Sequence, residues 1–142
     1  MKSNKEILSS ILKTTQMGQI GIRSVMDYAV HQDFKRALRS QLKEYDEIER
    51  QAHAIASERG WDVAELDPAI KIMSKAYTKA NLKITGSDSK IAAMMIQGNT
   101  RGMIKTTKNQ HHSCRQDPRV AQLSQKLLDR ETENIKQMQG YL

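Results

Sequence analysis

The stretch Ile91–His112, IAAMMIQGNTRGMIKTTKNQHH, decides the fold. It reads as one helix, although it carries Gly98 and Gly102. An interior glycine costs a helix roughly 1 kcal/mol against alanine. Keeping two of them implies that bare backbone is needed there, so that another helix or a ligand can come close. Gly-x-x-x-Gly also marks membrane-helix dimers, but that use needs an apolar segment of about twenty residues. The longest apolar run is Ile91–Ile96, too short to cross a bilayer. The expectation is therefore close helix packing, with Gly18 and Gly21 as the facing surface and Met94, Met95 and Met103 as core filler.

Composition supports a helical setting. A chain of 142 residues suits one domain with one core. Hydrophobic residues are 38% and charged residues 27%, ordinary for a water-soluble helical protein. With one Phe and one Trp, a sheet would have little to pack with. Cys114 is the only cysteine, so no disulfide can form within the chain. The first residues, MKSNKEILSSILKTT, show no apolar signal region. A cytoplasmic location with no membrane contact is expected. The formal charge of +7 admits an anionic partner, and it also falls within the range that keeps a small domain soluble.

Outward from that helix, the periodicity predicts four more. The first spans about Asn4–Val30, opened by a Ser3-x-x-Glu6 capping box. Its seam is Leu8, Ile11, Thr15, Gly18, Ile22, Val25 and Ala29. After a short turn at 31–33, the second spans about Phe34–Arg59, with Phe34, Leu38, Gln41, Tyr45, Ile48, Ala52 and Ile55 as its seam and Gly60 beyond its end. So tight a connection makes the two antiparallel neighbours. Trp61–Asp67 is a loop, and Asp67-Pro68 starts a shorter helix over about 69–84. Ile70, Met73, Tyr77, Ala80 and Ile84 form its apolar face. Gly86 stops it, and Ser87 or Asp88 caps the glycine-bearing helix. Asp117-Pro118 opens the last helix, which runs to about Gln139 with Val120, Leu123, Leu127, Glu131, Asn134, Met138 and Tyr141 near its seam. The fold class is all-α: an antiparallel four-helix bundle with the short helix as a crossover. The alternative is one kinked helix over 68–112 in a plain up-down-up-down bundle.

The two halves echo each other. Gln16-Met17-Gly18 answers Gln97-Gly98, and Glu44-x-x-Glu47-Ile48 answers Glu131-x-x-Asn134-Ile135. Together with Glu44-Tyr45, Ile91-Ala92-x-Met94-Met95-Ile96-Gln97-Gly98 and Gly102, these residues resemble the ferritin-like superfamily. More narrowly, the chain is similar to small bacterial four-helix proteins related to spore coat protein F. The resemblance implies a ferritin-like bundle and leaves room for a spore-associated role. A ferritin-like metal site takes one Glu from each opening helix and Glu-x-x-His from each closing helix. Here Gln16 and Gln97 stand for the first pair, and Glu47 and Asn134 stand where histidine would. Amides are poor ligands for iron or manganese, so the resemblance extends to the fold and not to oxidase or storage chemistry.

Three groups of residues are candidate sites. Gln16, Glu44, Glu47, Gln97, Glu131 and Asn134 are expected to form a polar core cluster that fixes register; the alternative places Glu44 and Glu47 in solvent. Lys71, Lys75, Lys79 and Lys83 line one face of the short helix, with no acid between Pro68 and Ser87, a face for an anionic partner. Any nucleic-acid contact there would be to phosphates, since stacking aromatics are scarce. His111, His112 and Cys114 are candidates for metal that lack a fourth ligand; helix-end histidines are also favoured by the dipole alone. His53 reads as a surface residue.

No nucleophile, base and oxyanion donor come together in the sequence. The expected function is a non-enzymatic structural or helper protein, without a cofactor and acting as a homodimer. The alternatives are a metal-binding protein for iron, manganese or zinc, and a phosphate-backbone binder through the lysine face.

Overall fold

The structure, a computed structural model, describes residues 1–85, 87–113 and 115–142, and the side chains of all of these except 83–85. Five helices account for nearly all of them: α1 (Asn4–Met26), α2 (Gln32–Arg59), α3 (Pro68–Thr85), α4 (Asp88–His111) and α5 (Pro118–Gln139). The fold is all-helical, and no helix among the described residues is long and apolar enough to cross a membrane.

Local chemistry sets the helix ends. The Ser3 hydroxyl accepts from the Glu6 N–H at 3.2 Å while the Glu6 carboxylate accepts from the Ser3 N–H at 3.5 Å, a closed capping box. Ser87 caps α4 by accepting from the Lys90 N–H at 3.1 Å. Asp117 caps α5 by accepting from the Arg119 N–H at 2.9 Å, with Pro118 at the first helical position. Gly60 closes α2 at φ 66°, a left-handed conformation in which a side chain would be strained. Helix α1 stops at Met26, four residues short of the expected end. There the chain tightens: Tyr28 N–H donates to Val25 O at 3.0 Å. Asp88 then captures the N–H groups of Val30 and His31 at 2.8 and 3.0 Å, drawing the chain off the helix axis and into α2.

Helix α4 packs most extensively on α5, and α1 on α2; α2 against α5 and α1 against α4 complete a ring, with α3 laid on α1 outside it. The ends of the ring are tied. At one end, Lys2 N–H donates to His112 O at 2.8 Å, Asp117 N–H donates to Asn4 Oδ1 at 2.9 Å, and Arg59 pairs with Asp117 at 2.7 Å. At the other, the Ser89 hydroxyl donates to Leu142 O at 3.2 Å, and the rings of Phe34 and Tyr141 meet edge to face at 4.7 Å. The core between these ends is built from the four seams. Leu8, Leu12, Phe34, Leu38, Ile48, Ile91, Val120, Leu127 and Met138 are all buried, and fully burying such a side chain contributes about 1.5–3 kcal/mol.

Helix α3 departs from the expected pattern. Met73 and Tyr77, expected on its inner apolar face, are 70% and 66% exposed, and Ala80 is exposed too. Among the described residues, Thr78 and Leu82 are the side chains it buries, and Ile84 lies outside the described side chains. The reason is geometric. Helix α3 rests on α1 and meets α4 only lightly, so its apolar stripe borders an open groove and not another helix.

Candidate functional site: a buried acid and the groove beside it

The centre of the bundle holds polar groups from three helices. Glu131 on α5 is 1% exposed, and its Oε1 accepts from the Thr106 hydroxyl of α4 at 3.2 Å. Its second oxygen occupies the space beside Gly102: a Cβ there would come within 1.8 Å of Oε2. Only glycine leaves room for this carboxyl. Burial pushes Glu131 up to about 8, and the Thr106 hydrogen bond offsets this only in part. At neutral pH the group is therefore mostly an uncharged acid.

Toward the α4 N-terminus, the Tyr45 hydroxyl of α2 donates to Asn99 Oδ1 at 2.8 Å. Asn134 Nδ2 of α5 reaches the same oxygen at 3.4 Å, and Asn99 Nδ2 donates to Met95 O at 2.8 Å. Burial, then the nearby Glu131 charge, raise the Tyr45 phenol well above its ordinary value. The Tyr45 ring lies on Gly18 of α1, where a Cβ would sit 2.6 Å from the ring. One turn earlier on α2, Gln41 donates to Gln137 Oε1 at 2.8 Å, while its own buried Oε1 finds no partner among the described residues.

Of the six residues expected to cluster, only Glu131 and Asn134 lie in this interior. Gln16 faces the 60–67 loop, accepting from Leu66 N–H at 3.0 Å and donating to Glu65 at 3.2 Å. Glu44 pairs with Arg130 at 3.1 Å in a half-exposed position, Glu47 pairs with Arg50, and Gln97 is exposed. The interior is completed instead by Tyr45, Asn99 and Thr106. A signal for two of these was present: Met95, Asn99, Gly102, Thr106 and Asn109 recur at spacings of four and three, one continuous α4 seam.

The four glycines divide between two roles. Gly18 and Gly102 admit the Tyr45 ring and the Glu131 carboxyl, and a Cβ on Gly21 would sit 3.5 Å from Met95 Cε, in ordinary contact. Gly98 is different: among the described residues, a Cβ added there would find no atom of another element within 4 Å. It lines a groove of about 660 Å³ between α1, α3 and α4, with Tyr45 and Glu131 among its lining residues. Such a volume lies within the ~300–1,000 Å³ usual for small-molecule sites.

The other candidates lie elsewhere. Lys71, Lys75 and Lys79 are exposed on α3, and among the described residues none forms an ion pair; Lys83 lies outside the described side chains. His111 and His112 are exposed at the end of α4, and Cys114 lies outside the described residues. His53 is half-exposed and pairs with Glu65 at 3.1 Å. Among the described residues, no three His, Cys, Asp or Glu side chains group as a metal site would need. No family model, curated protein or solved structure matches the chain.

Proposed function

We propose that the protein is a non-enzymatic, ferritin-like helical bundle whose interior carries a neutral polar cluster in the place where relatives of that architecture hold metal. The end contacts support the arrangement. The start of α1 and the end of α4 share one end of the ring, with the end of α2 and the start of α5; the opposite termini share the other. Neighbours in the ring then run antiparallel, and α3 is the crossover that returns the chain between the two hairpins.

The observation that carries the reading is the company Glu131 keeps. Among the described residues it is the one carboxyl buried in this interior, with Asn99, Asn134, Tyr45 and Thr106 around it. Iron and manganese centres in such bundles are built from several carboxylates and imidazoles. Two amides, a phenol, a hydroxyl and one carboxyl, with no imidazole, do not fit that donor set. Glu44 and Glu47 are engaged in their own ion pairs with Arg130 and Arg50. The cluster instead fixes the register of α2, α4 and α5, since every misregistered packing would leave buried polar groups unpaired. The role that follows is helper or structural, exerted through surfaces and pockets rather than through redox chemistry.

Metal analysis of untagged protein, before and after incubation with excess Fe²⁺, Mn²⁺ or Zn²⁺ and gel filtration, tests this. The reading requires substoichiometric metal in every case. Two retained ions per chain, lost in Glu131→Gln, would overturn it.

A further inference from the structure

The groove beside the cluster has a built-in polarity that runs along its length. Lys13 of α1 and Arg101 and Lys105 of α4 line one end. Toward the other end the lining turns apolar, with Ile22, Val25 and Met94. Among the described residues, none of the three cations forms an ion pair. Partial burial, with Lys2 and Lys13 nearby, holds the Lys105 ammonium below the ordinary lysine range. Cations gathered without counter-charges beside an apolar trough complement one chemistry: an anionic head on an apolar tail.

Methionines give the trough an adaptable wall. Met17, Met73, Met94 and Met95 all line it, and unbranched thioether side chains repack around ligands of varied shape. Met73 and Tyr77 stand on the outer wall, exposed because no helix covers them. Gly98 keeps the floor open without serving any helix contact, although its presence costs the helix about 1 kcal/mol. The neutral state of Glu131, which also borders the groove, spares an anionic head a buried like charge.

We propose that this groove binds a medium-chain aliphatic carboxylate, its head at Lys13, Arg101 and Lys105 and its tail between α1, α3 and α4. It deepens the helper role proposed above by giving that role a ligand. It is tested separately from the metal question, so either can fail alone.

The test uses the full chain labelled at its methionine methyl groups, titrated with decanoate and watched by NMR, with decanol and decyltrimethylammonium in parallel. Saturable shifts are expected at Met17, Met73, Met94 and Met95, but not at Met138, which is fully buried away from the groove. Decanol should bind more weakly and the cation not at all. Gly98→Leu should fill the floor and weaken decanoate by about tenfold or more, about 1.4 kcal/mol, while melting no lower than the native chain. Lys13→Gln with Lys105→Gln should weaken decanoate several-fold and leave decanol unchanged. The proposal is overturned if no methyl saturates or if decanol or the cation matches decanoate. Undiminished binding by Gly98→Leu would also overturn it. So would concentration-dependent shifts of the same methyls without ligand, which would put a second copy of the chain in the groove.

Discussion

Replacing Glu131 by Gln should make the protein more stable at alkaline pH and nearly neutral in effect at acid pH. The carboxyl titrates at about 8 in the fold, against 4.5 for an unperturbed glutamate. At about 1.4 kcal/mol per tenfold change in proton affinity, ionising it inside the bundle costs as much as about 5 kcal/mol. The folded chain therefore holds this proton over a window in which the unfolded chain has released it. Stability rises with pH where the unfolded state binds more protons; here the folded state binds more, so stability falls. Glu131's contribution is full below pH 4.5, declines as pH rises from there to about 8, and is then spent. Glutamine keeps the shape and an acceptor for the Thr106 hydroxyl, and it does not titrate. Urea unfolding of both chains at half-unit steps from pH 4.5 to 9 measures the difference directly. The variant should gain on the native chain continuously across that range, by about 3 kcal/mol at pH 7 and up to about 5 kcal/mol at the top. Against a total stability of about 5–15 kcal/mol for a domain, such a gain is large. A difference independent of pH, or a native chain that gains on the variant as pH rises, would refute the reasoning.

The glycines and the tyrosine give sharper local tests. Gly18→Ala places a Cβ 2.6 Å from the Tyr45 ring and should destabilise by about 1–3 kcal/mol, the cost of overpacking a core; Gly98→Ala, with open space around it, should stabilise by up to about 1 kcal/mol. Thermal melts of the two variants should therefore move in opposite directions, and a shared direction would contradict the division of roles. Tyr45→Phe removes the donor to Asn99 Oδ1 and should cost about 1–2 kcal/mol in urea unfolding, because Asn134 reaches that oxygen only at 3.4 Å.

Much of the helical framework could be read from residue chemistry. The capping box at Ser3 and Glu6, the left-handed Gly60 and the Asp117-Pro118 start all act within a few residues of where they stand, so local sequence suffices. The seam of α2 from Phe34 to Ile55 is buried at every position named from its spacing. Glu131 and Asn134 fell on the same stripe as Leu127 and Met138, which is why they could be placed inside. What periodicity could not convey is which stripe another helix covers. The α3 stripe has the right spacing, yet Met73 and Tyr77 face out because α4 meets α3 only lightly. The echo between the two hairpins points Gln16 into the core, whereas the returning 60–67 loop claims it through the Leu66 N–H. Gly98 and Gly102 share a motif and a helix face, but only Gly102 has a side chain pressed against it.

The charge state of one side chain tests the central claim most directly. Infrared difference spectra between the native chain and Glu131→Gln at pH 7, in ²H₂O, report whether a protonated carboxyl is present in the fold. The neutral interior requires a carbonyl band of an uncharged acid, present in the native chain, absent in the variant, and lost as pH is raised through about 8. A native spectrum in which Glu131 contributes only carboxylate bands at pH 7, or one that gains them on adding Fe²⁺ or Mn²⁺, would contradict it.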